Sequence, residues 1–163
     1  MPDKETIAKA MQDKKEGKSA STQAGEFVKA EIDNIRKGEH GARSAKQAIA
    51  IGLSEARRAG VDLKPQKGKV SAKTYQGEKS AYEKGQRREP VSKTRSQARL
   101  EALKREPHST VSKSAMSAQA HQAASRRSPS ARSASAKQAA RTKGPSERSA
   151  AAKKGARTRR ISK

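Results

Sequence analysis

From His108 to Lys163 the chain carries fourteen Lys or Arg and one acid, Glu147, a local charge of +13 within a total of +23. These cations recur in a frame. Residues 131–146 (ARSASAKQAARTKGPS) and 147–162 (ERSAAAKKGARTRRIS) share Arg, Ser, Ala, Ala, Lys, Ala, Arg, Thr and Ser in register, and residues 115–130 (AMSAQAHQAASRRSPS) follow the same frame. A segment of this kind performs one chemistry, the neutralisation of a polyanion. Each Lys or Arg placed on a phosphate releases condensed counterions, and Ser and Thr hydroxyls add hydrogen bonds to phosphate oxygens. Small side chains let the backbone lie close to a groove. The candidate phosphate contacts are Arg126, Arg127, Arg132, Lys137, Arg141, Lys143, Arg148, Lys153, Lys154, Arg157, Arg159 and Arg160. Arg43, Lys46, Arg57 and Arg58 add a smaller cationic patch, expected on the outer face of a helical hairpin.

Other chemistries lack their residues. There is no Cys, so thiolate nucleophiles, thiolate metal sites and disulfide staples are excluded. His40, His108 and His121 are scattered without metal-ligand spacing. The sequence has no Gly-rich phosphate loop closed by Lys-Ser/Thr, no Gly-x-Ser-x-Gly elbow and no evident pair of buried carboxylates. The reading is of a chain with no catalytic residue, no metal and no cofactor. Tyr75 and Tyr82 suit base stacking or a plain linker role. Arg-Ser dipeptides recur, as at Arg127-Ser128 and Arg148-Ser149, where phosphorylation would remove about 1.5–2 positive charges each.

The elements that position these cations are legible in part. Hydrophobic residues make up 31% of the 163 and aromatics 2% (Phe27, Tyr75, Tyr82), a composition that signals disorder because little apolar area is buried against backbone entropy. Two helices stand out. Over about 23–37, Ala24, Phe27, Val28, Glu31 and Ile35 share a face, with Gly38 as the terminator. From Ser44, whose spacing to Gln47 is that of a capping box, Ala45, Ala48, Ile49, Gly52, Leu53, Ala56 and Ala59 form a face of small residues. Ile51 falls off that face. The fold class read from these patterns is mostly α with extensive disorder: a small helical hairpin, a short additional helix and a disordered polycationic tail. The expected divisions are a flexible segment with weak helix at 1–22, the hairpin at 23–60, a basic linker at 61–92, a short helix at 93–107 and the tail at 108–163.

The run Lys46-Gln-Ala-Ile-Ala-Ile-Gly-Leu-Ser-Glu-Ala-Arg-Arg58, preceded by Arg36-Lys37-Gly38, resembles a family of small, very basic bacterial proteins of unknown function. The resemblance covers about residues 25–60, and it implies a bacterial origin without implying an activity. In composition alone, the tail resembles the Lys/Ala/Ser/Pro-rich tails of linker histones. The expected function is non-sequence-specific nucleic-acid binding by a nucleoid-associated accessory protein in the bacterial cytoplasm. DNA is the first partner and RNA the second. The alternatives are a protein-interaction module whose residue 45–59 helix docks a partner, and an RNA- or ribosome-associated protein. The hairpin would also serve homo-oligomerisation. No membrane is expected, since the longest apolar run, Ala48–Leu53, is far below the roughly 20 residues that span a bilayer.

Overall fold

Side-chain oxygens start the helices of this chain, and close backbone approaches hold them together. The computed structural model describes residues 3–68 and 70–161, with the backbone alone at Thr142, Lys143 and Ile161. Among them are α1 (Lys4–Lys15), α2 (Ala20–Lys37), α3 (Ala45–Arg58), α4 (Ala72–Gln86), α5 (Lys93–Lys104), a 3-10 turn (Ser109–Val111), α6 (Lys113–Ser125) and α7 (Pro129–Ile161). Asp3, Ser19, Ser44, Ser71 and Ser92 each accept the backbone N–H three residues on, satisfying an orphan donor of a first turn. Gly38 ends α2 at φ 85°, where its N–H and that of Glu39 close onto the last turn. The chain forms two compact units, residues up to Gln119 and residues from Ala120, the boundary falling inside α6.

In the first unit α2 packs against α3 and α1, and α4 packs against α3. Gln23, Ala24, Phe27, Glu31 and Ile35 are the buried positions of α2, at the three- and four-residue spacing of one helical face. Phe27 is enclosed by Ala10, Ala24, Ala56 and Val61, and Ile35 by Ala42, Ala48 and Val111. The partners are so small because the helices nearly touch. A Cβ at Gly52 would stand 2.7 Å from Val28 Cα and 2.9 Å from Val28 N. On the other flank of α3, a Cβ at Gly85 of α4 would run into the Arg57 carbonyl oxygen. Residues 103–111 strap the far end. Gly41 N–H donates to Leu103 O (2.9 Å), Ala42 N–H to Pro107 O (3.1 Å), Thr110 Oγ1 to Ala42 O (2.8 Å) and Arg36 Nε to Val111 O (3.0 Å).

Four expectations are corrected here. The disordered tail is the largest: α6 and α7 are helical. Composition argues for disorder by counting core, but Ala, Arg, Lys and Gln are strong helix formers, and a helix satisfies its backbone without a core. Pro129 and Pro145 sit where a first helical residue tolerates proline. Ser112 and Ser128, 16 residues apart, accept from Ala115 N and Ala131 N, and Gly144 follows 16 later at φ 64° and ψ 171°, a kink within α7. Two of the repeating segments thus begin at a serine cap, and the third begins at the kink. Second, the supposed linker 61–92 contains α4, tied back by Tyr82 Oη donating to Asp62 Oδ1 (2.6 Å). Third, the tail does not begin at 108, since Val111 is wholly buried and the His108 ring contacts the Ile35 carbonyl (3.3 Å). Fourth, Arg57, expected on the outer face of the hairpin, is buried, as is Ile51, which lies off the small-residue face.

Replacing Gly52 with Leu should lower stability by roughly 1–3 kcal/mol through overpacking, despite the better helix propensity of Leu. Gly77→Ala in α4, where nothing lies within 4 Å of the new Cβ, should instead stabilise by up to about 1 kcal/mol. Thermal melts of the two variants beside the parent check both signs.

Candidate nucleic-acid interface

Helix α7 carries most of the candidate cations because its repeat places them on a scaffold of Ala and Ser that buries nothing. Arg132, Lys137, Arg141, Arg148, Lys153, Lys154, Arg157, Arg159 and Arg160 are all exposed on it, and Arg126 and Arg127 are exposed in the break before it. The Lys143 side chain lies outside the described residues. Among the described residues none of these cations is in an ion pair, as expected where Glu147 is the single acid. Lys153, Arg157 and Arg160 flank a shallow depression that Ala156 also lines. At the kink, Arg148 Nε donates to the Gly144 carbonyl (3.0 Å), using one guanidinium edge and leaving the rest outward.

The four hairpin cations do not form one patch. Arg43 and Lys46 stand at the start of α3 and Arg57 and Arg58 at its end, about 17 Å apart along a helix rising 1.5 Å per residue. Arg43 is exposed with its Nε 3.3 Å from Glu106 Oε1, Lys46 is exposed, and Arg58 is half-buried. Arg57 is 6% exposed. Its Nε donates to Leu63 O (3.1 Å) and its Nη2 lies 3.4 Å from Glu78 Oε2. That guanidinium joins α3 to α4 and the 61–63 segment, and it does not face solvent phosphate. The sequence reading missed this because α4, which supplies Glu78, was read as linker.

A second polar cluster lies inside the first unit. Glu31 is 3% exposed on the apolar face of α2, with Oε2 3.5 Å from His40 Nε2 and Oε1 buried without a hydrogen-bond partner among the described residues. His40 is also buried, and its Nδ1 faces the Gly41 carbonyl at 3.3 Å. Burial pushes the Glu31 carboxyl up to about 7, with the Glu55 carboxylate adding to the rise, and Glu55 is itself pushed up, chiefly by burial. One fully buried carboxyl, Glu31, is thus present beside the half-buried Glu55, where the sequence led us to expect no buried pair. Its signal was visible: an acid standing between Phe27 and Ile35 on a buried stripe. Among the described residues no group of three or more His, Cys, Asp or Glu is placed to hold a metal ion.

Residues 3–68 match the model of a family of unknown function, DUF6496. No curated protein and no solved structure matches the chain. The matched span is longer than the 25–60 stretch carrying the sequence resemblance. It takes in α1, α2, α3 and the Glu31–His40–Glu55 cluster, and it ends before α4 and all of the cationic repeats. The match therefore covers α1 to α3 and leaves α4, α5, the strap and the tail to be read from their own chemistry. No helix among the described residues is long and apolar enough to cross a membrane.

The Glu31 shift sets a pH dependence. Its folded-state pKa lies above the ordinary 4.5, so the folded chain holds a proton that the unfolded chain releases. The Glu31 contribution to stability should be fully present below about 4.5 and be lost as pH rises through about 7, a change on the order of 3 kcal/mol. Glu31→Gln should remove that fall and be more stable than the parent at alkaline pH. Denaturant titrations of both proteins across this range give the difference directly. A difference independent of pH would refute the buried-acid assignment.

Proposed function

We propose that this protein binds nucleic acid without sequence preference, through phosphate contacts made by the cationic helices after residue 125, as a nucleoid-associated accessory of a bacterial chromosome. One observation carries the reading: the described tail cations after residue 125 are exposed and, among the described residues, in no ion pair, while most acids of the chain lie before residue 108. A helix of small residues with a Lys or Arg every few positions presents charge at fixed spacing and no large side chain to read a base edge. The alternative of a partner docked on residues 45–59 has less support, because α2 and α4 already pack against α3.

The position of the first-unit strap decides how the reading is tested. Removing everything from 108 would strip Val111 from the core and Thr110 from the Ala42 carbonyl, so charge substitutions are the cleaner probe. Duplex affinity should fall log-linearly with salt and vary little between unrelated sequences. Lys137→Gln with Arg141→Gln, and Lys153→Gln with Arg157→Gln, should weaken binding about equally, each pair lowering the salt slope by roughly 1.8. Fluorescence anisotropy with labelled duplexes over a salt series measures both. Binding that ignores salt, or that depends on one pair alone, would sink the diffuse-contact mechanism.

A further inference from the structure

Phosphate contact by itself does not choose among polyanions, but the helical placement of the cations does. At about 100° per residue, Lys137 and Arg141 stand roughly 140° and 180° around the helix from Arg132. Lys153 and Arg157 repeat those offsets from Arg148, since the repeat is 16 residues long. All six are exposed. A helix with its charge on one side needs a single phosphate strand. Charge on opposite sides needs two phosphate walls, separated by about the width of a helix.

That width is about 10–12 Å with side chains, and the major groove of B-form DNA is about 12 Å wide. The minor groove, at about 6 Å, is too narrow, and the A-form major groove of duplex RNA is deep and narrow. Ala and Ser occupy most positions between the two cationic stripes, so little bulk opposes close approach to the groove floor. The kink fits the same geometry. A straight helix cannot follow a winding groove for long, and residues 129–143 span about 22 Å, roughly two-thirds of the 34 Å turn of the duplex. At Gly144 the backbone leaves helical geometry and restarts at Pro145, which re-aims the second half.

We infer that the two halves of α7 seat in the major groove of B-form duplex DNA, each with cations on both phosphate walls. This rests on the phosphate-binding reading above and adds the groove and the duplex type to it. The test compares the full-length protein on a DNA duplex, an RNA duplex of the same sequence, and heparin, a polyanion without grooves, at one salt concentration. DNA should bind about ten-fold or more tightly than RNA. Glucosylated hydroxymethylcytosine, which fills the major groove, should weaken DNA binding by a similar factor, and a minor-groove ligand should leave it unchanged.

A charge-conserving variant separates placement from total charge. Lys137→Ala with Ala136→Lys, and Arg141→Ala with Ala139→Arg, gathers the first-half cations on the Arg132 side. It should lose several-fold in affinity for DNA and keep its affinity for heparin. Equal binding to DNA, RNA and heparin, or indifference to the glucosylated duplex, would overturn the groove assignment while leaving phosphate binding in place. Failure to bind any of the three would overturn both.

Discussion

Close contact between backbones is the constraint on which the first unit depends. Its largest fully buried side chains are Phe27, Ile35 and Val111, too few to hold helices together at ordinary separation. The helices compensate by approaching until main-chain atoms touch. Gly52 lies against Val28, and Gly85 against the Arg57 carbonyl. At such distances the methyl groups of Ala24, Ala48 and Ala56, all wholly buried, make the dispersion contacts that larger side chains make elsewhere. The geometry also explains the strap over 103–111. The α2–α3 connection exposes backbone donors at Gly41 and Ala42, which carbonyls of Leu103 and Pro107 satisfy.

Charge is sorted along the chain by the same economy of core. The first unit holds almost all the acids and uses many of them locally: Glu78 with Arg57, Glu106 with Arg43, Asp13 and Glu16 with Lys18, and Glu83 with Lys79. Most of these pairs are exposed and contribute little each. The Arg57–Glu78 pair is different, being largely buried and also hydrogen-bonded to Leu63. Glu31 stands inside without a full complement of partners and holds its proton toward neutral pH instead. Beyond α6 the cations face a single acid, Glu147.

What the sequence by itself determined were the features that depend on neighbours within a turn or two of helix. The Ser44–Gln47 cap forms, with Gln47 Oε1 also accepting from Arg43 N. Gly38 ends α2, and the burial of Ala24, Phe27 and Ile35 follows their spacing. The repeat frame fixed where tail helices begin, although composition argued against their forming, because caps and propensity act without a core. Tertiary structure alone decided the rest. Arg57 looks like any exposed cation until α4 brings Glu78 to it, and α4 shows too little apolar periodicity to be seen without α3 beneath it. His40 becomes a partner of Glu31 only once the loop folds over α2, and Val111 joins the core only through a chain reversal after Pro107. Each of these depends on contacts between residues distant in sequence, and local periodicity carries no information about which distant segment will supply the other half.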